Sequence, residues 1–191
     1  MKSNVCVFKK SVVDLDAILL EADKIAKYNE LGKKESLRLR LLAEEMVGLL
    51  TELATKFEGE FYVENEGNKY ELHSIIKIPA ITTEIRKELI EFSSSKTNSA
   101  SKGILGKIRN ALDVMLLNFY ENEHLYSMPY SDTYDYRQMY EWSLNHYVES
   151  CKEKKEINDE LQKSIIGSIA DNVVVSIKGE KVNIVISKEF K

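Results

Sequence analysis

The residues best suited to chemistry fall in separate stretches. In LAEEMVGLLTEL, Glu44 and Glu45 supply adjacent carboxylates, either of which is a candidate catalytic base. Neighbours on a helix point about 100 degrees apart, so the two do not form a close pair sharing a proton. A second stretch, SKTNSASKGILGKIRNAL from Ser95 to Leu112, combines small, polar and basic residues before an apolar run. Gly103 and Gly106 near a helix start would let backbone amides approach an anion, helped by the positive end of the helix dipole. Lys96, Lys102 and Lys107 add charge, and Asn98, Ser99 and Ser101 add hydrogen-bond donors. The competing reading is a plain hinge, because Ser, Thr, Asn and Gly are also what loops contain. A third stretch, YSMPYSDTYDYRQMYEWSLNHY, offers Tyr136, Tyr140, Trp142 and Tyr147. These aromatics either give a protein partner a large contact area at low entropic cost or cover the sheet and the neighbouring helix.

Other reactive side chains form no recognisable set. His73, His124 and His146 are scattered, with no pair at the i, i+4 spacing of a helical zinc site, and no metal cluster is expected. Cys6 and Cys151 lie far apart without CxxC spacing, which reads as buried thiols rather than a disulfide framework. No GxSxG is present, and neither cysteine stands beside a convincing base.

Composition narrows the function classes. The 191 residues suffice for one domain with a real core, and 43% hydrophobic with 30% charged residues is ordinary for a globular chain. With 27 basic against 31 acidic residues the net charge is -4, which offers no positive field for a nucleic-acid backbone. The first apolar run is cut by Lys9, Lys10 and Asp14, unlike a secretory segment, and nothing approaches the roughly 20 apolar residues of a membrane span. A cytoplasmic location is the expectation.

These residues need elements to position them. NVCVFKK suits a short strand. Leu15, Ile18, Leu19, Ala22, Ile25 and Ala26 give a helix from Asp14 to Tyr28, ended near Gly32. Leu42, Met46, Leu49, Leu50, Leu53 and Phe57 give a longer one from about Lys34 to Phe57. EFYVENEGNKYELHSIIKI reads as a hairpin turning through Glu64 to Asn68. Thr82 and Thr83 after Pro79 would cap a short helix through Phe92. Ile104, Leu105, Ile108, Leu112, Met115 and Leu116 form the face of the helix that begins near Lys102. The segment 118–153, rich in tyrosine, reads as an insertion that becomes helical near Asp135. A helix from Glu156 to Ala170 leads into DNVVVSIKGEKVNIVISKEF, a closing hairpin turning at Lys178, Gly179 and Glu180. The expected architecture is a single α+β domain over residues 1–191. It is a two-layer sandwich with a mixed or antiparallel sheet, helices on one face, and a helical insertion before the last hairpin.

This order, with the long helix carrying LAEEMVGLLTEL and the stretch KGILGKI at a helix start, resembles the histidine-kinase-like (GHKL, or Bergerat) ATPases. The similarity is greatest to the anti-sigma-factor kinase branch and covers most of the chain outside roughly Asn118 to Glu153. In that family the long helix holds a glutamate that activates a nucleophile and, four residues on, an asparagine that holds magnesium. Glu44 or Glu45 would be the base, but Gly48 and Leu49 stand at the magnesium positions and offer no side-chain oxygen. The family's Asp-x-Gly-x-Gly adenine motif has no counterpart in HSIIKIPAITTEI, whereas Gly103 and Gly106 are similar to its second glycine box. The resemblance therefore implies a degenerate member, a regulatory protein that binds ATP or another nucleotide, or a protein partner, without efficient hydrolysis. An active Mg-ATP-dependent ATPase or protein kinase is the alternative, and a ligand-free interaction scaffold is a third. KGILGKI and the closing hairpin also look like a group of uncharacterised bacterial proteins.

Overall fold

The computed structural model of the chain describes residues 1–9, 15–51, 58–77, 104–121, 141–150, 164–178 and 181–190. In chain order these form β1 (Cys6–Lys9), α1 (Leu15–Tyr28), α2 (Lys33–Thr51), β2 (Glu58–Glu66), β3 (Lys69–Lys77), α3 (Ile104–Glu121), β4 (Glu141–Ser143), α4 (Leu144–Ser150), α5 (Ile165–Ile169), β5 (Asn172–Lys178) and β6 (Lys181–Glu189). The strands make one six-stranded sheet in the order β1-β2-β3-β6-β5-β4, and every pairing is antiparallel.

Period-two alternation gives this sheet its two unlike faces. Phe8, Phe61, Val63, Leu72, Ile76, Val182, Ile184, Ile186, Val173 and Val175 are buried on one side and join the helices in a single core. α1 packs on β2, α2 on β3 and β6, and α3 on β5 and β4, so the helices follow the strands across that face. α5 touches both α2 and α3. The fold is thus α+β, an antiparallel sheet with the described helices α1, α2 and α3 packed on its buried face.

Each helix owes its docking to the stripe read from the sequence. Ile18, Leu19, Ala22, Ile25 and Ala26 of α1 are buried, as are Leu39, Leu42, Ala43, Met46, Leu49 and Leu50 of α2 and Ile104, Ile108, Leu112 and Met115 of α3. Between α1 and α2 the chain reverses through Glu30 at φ 53, with the Leu31 amide donating to the Ala26 carbonyl at 2.9 Å. Arg40 then ties the helices together, pairing with Asp23 across the interface and with Glu44 one turn along at 3.5 Å.

The first hairpin turns more tightly than the sequence suggested. Its strands run on to Glu66 and from Lys69, leaving Gly67 at φ 56 and Asn68 as a two-residue turn. Glycine at the first central position is what such turns favour. At the sheet's edge, Gly59 permits a close approach: a Cβ there would stand 2.8 Å from the Phe8 ring.

The expected helical insertion also differs. Glu141–Ser143 is a strand on β5, helix follows at Leu144–Ser150, and the expected start near Asp135 lies outside the described residues. Trp142 lies opposite buried Val175, so tertiary pairing outweighs the local helical pattern. Thr82, Thr83 and the helix expected through Phe92 lie outside the described residues, as do Leu53, Phe57 and residues 156–163 of the helix expected before the last hairpin.

Candidate functional site

The residues singled out for catalysis sit on α2. Glu44 is exposed and held by Arg40, whereas Glu45 is half-buried on the adjoining face, as their angular separation requires. One turn on, Gly48 is half-buried, and apart from its chain neighbours and the backbone of its own helix nothing described lies within 4 Å of where a Cβ there would stand. The step from Glu44 to Gly48 therefore leads into open space, while Met46, Leu49 and Leu50 turn into the core.

Of the proposed anion-binding residues, α3 carries Gly106, buried in its first turn, and Lys107, half-buried. Ile104 and Ile108 anchor that turn in the core. Lys96, Asn98, Ser99, Ser101, Lys102 and Gly103 lie outside the described residues. Among the aromatics, Trp142 and Tyr147 are half-buried against the core, with rings 5.9 Å apart. Tyr136 and Tyr140 fall outside the described residues.

The outer sheet face carries a polar cluster that sequence reasoning passed over. Register places Tyr62 opposite His73 and Glu64 opposite Glu71. The His73 imidazole stacks on the Tyr62 ring, centroids 4.7 Å apart. From the β1 side, Lys2 Nζ lies 3.4 Å from the centre of the same ring and 3.2 Å from Glu64 Oε1. His73 Nε2 is 3.5 Å from Glu71 Oε2 and 3.8 Å from Glu64 Oε2, but aligned with neither, so it is buried without a hydrogen bond. Burial holds the His73 pKa below its ordinary value; Glu64 and Glu71 oppose this, and Lys2 adds to it. Lys69 lowers the Glu71 carboxyl, its ammonium 2.7 Å away.

Beside this cluster is an open cleft of about 480 Å³ lined by Met1, Lys2, Glu64, Asn65, Glu66, Lys69 and Glu71. The histidine count and spacing gave no hint of the cluster. The hairpin register would have: once the turn is Gly67–Asn68, alternation puts Tyr62, Glu64, Glu71 and His73 on one face.

Among the described residues no group of three or more His, Cys, Asp or Glu is arranged to hold a metal ion. No described helix is long and apolar enough to cross a membrane. Fold and site together define an α+β protein with a six-stranded antiparallel sheet and several helices. No family model, curated protein or solved structure matches the chain.

Proposed function

We propose that the chain is a degenerate GHKL-like two-layer domain with a regulatory role, acting by binding a nucleotide or a protein partner without efficient hydrolysis. The observation that carries this reading is the open space beside Gly48, one helical turn from Glu44 on the helix where the resemblance puts the metal-holding side chain. Element order supports it as well: strand, two helices, hairpin, an intervening stretch, a helix with glycine in its first turn, and a final hairpin. The side-chain oxygen that would fix magnesium is missing at Gly48, and without that cation the charge on a transferring phosphate goes unbalanced. The Arg40 guanidinium engages Glu44, so that carboxylate is already paired within its own helix.

Calorimetric titration with ATP, with and without magnesium, tests the reading. Binding that is indifferent to magnesium and unaccompanied by turnover is the expected result. Magnesium-dependent binding with turnover would instead make the protein an ATPase or kinase, and absence of heat in both titrations removes the nucleotide from the reading.

A further inference from the structure

The segment Met1–Ser3 forms a short strap along the outer half of β2. The Ser3 amide donates to the Val63 carbonyl at 2.8 Å, the Asn65 amide to the Met1 carbonyl at 2.8 Å, and the Val63 amide to the Ser3 hydroxyl at 3.0 Å. The strap is hinged at a fixed point. Asn4 is pinned to α1, its amide donating to Glu21 at 3.1 Å and its side chain at 3.4 Å, and β1 follows immediately in the sheet. Release of the strap therefore need not disturb the core.

The charged side-chain grip on this strap comes from Lys2, which contacts Glu64 and the Tyr62 ring. Both contacts adjoin His73. The charged groups facing the imidazole are Glu64 on β2, Glu71 on β3 and Lys2 on the strap; β6 presents Val185 directly opposite and Ser187 one row along. With neutral His73, Lys2 pairs with Glu64 and Lys69 with Glu71, while the Met1 ammonium on the same strap donates to the Asn65 carbonyl. A proton on Nε2 adds a cation that repels the Lys2 ammonium and competes with it for Glu64.

We propose that His73 is a proton-sensitive catch: its protonation takes Glu64 from Lys2 and frees Met1–Ser3 from β2, opening one wall of the adjoining cleft. Linkage makes the effect reciprocal, because whatever loosens the strap also eases protonation of His73.

Amide exchange and the His73 ring resonances, followed together by NMR from pH 8 to pH 5 on the whole chain, test the proposal. Protection of Ser3, Val63 and Asn65, corrected for intrinsic exchange, should fall about tenfold as His73 protonates. The Leu72 amide should keep its protection, and His73→Gln should abolish the pH response at the strap. Unchanged protection through the titration, or the same fall in His73→Gln, overturns the catch. If that variant does not fold, Lys2→Gln decides: the pH midpoint of His73 should rise, and an unmoved midpoint overturns the proposal.

Discussion

His73 lies flat against Tyr62 across the first hairpin, with 13° between the ring planes, and is 16% exposed at its side chain. Stacking shields the imidazole from water while its Nε2 remains without a hydrogen bond. The native state thus disfavours the charged form, and stability acquires a pH dependence of definite sign. The folded pKa lies below the unfolded value of 6.5, so on acidification the unfolded chain takes up the proton first. Stability should be full above pH 6.5, fall as the pH drops from there through the folded pKa, and level off below it as far as this group is concerned. Denaturant unfolding at pH 7.5 and pH 5.5 should show the loss, and His73→Gln should remove most of it.

Ser74 neighbours His73 in sequence but faces the core, fully buried between Phe61 and Ile184 in adjacent strands. Its hydroxyl has no hydrogen-bond partner, so the cost of taking it out of water is uncompensated. Ser74→Ala is expected to stabilise the protein by about 1 kcal/mol, read as a higher urea midpoint at unchanged m-value. A destabilisation would show that the hydroxyl is satisfied in solution.

Glu30 adopts φ 53, the left-handed region in which a Cβ crowds the following carbonyl. The position ends α1, where glycine is preferred. Glu30→Gly should raise stability by roughly 0.5 to 1 kcal/mol, the conformational relief exceeding the greater freedom of glycine in the unfolded chain. Thermal unfolding measures it.

Gly48 lies inside α2 with open space on its side-chain side. Gly48→Ala should therefore stabilise the helix by about 0.5 to 1 kcal/mol without a steric penalty. Gly48→Asn bears on function. It places an amide oxygen one turn from Glu44, and under the nucleotide-binding reading it should make ATP binding magnesium-dependent. A variant that folds normally and shows no magnesium dependence would count against that reading.

Lys107, half-buried in the first turn of α3, is the described basic side chain of the proposed anion site. Lys107→Ala should weaken any nucleotide binding about tenfold, the loss expected for one hydrogen bond from a charged donor. An unchanged affinity would remove Lys107 from the site.

Much of this was legible in the chain. The stripe Ile18, Leu19, Ala22, Ile25 and Ala26, and its counterparts on α2 and α3, specify amphipathic helices because helical periodicity depends on local spacing alone. The closing hairpin was equally readable from two runs rich in β-branched residues, Val173 to Ile177 and Val182 to Ile186, with Lys178, Gly179 and Glu180 between them. The strand Glu141–Ser143 was not: three residues carry too little pattern, and its existence depends on Val174 to Ser176 being present as a template.

The sequence by itself determined which residues turn inward, since burial follows from apolar spacing along each element. Only the tertiary structure decided which inward and outward residues meet. It set β3 beside β6, which lie far apart in the chain, and brought Lys2, Glu64, Glu71 and His73 within ion-pair reach on the outer face. Pairing across a sheet is fixed by register and strand order, and these arise from the collective packing of the core rather than from any local pattern.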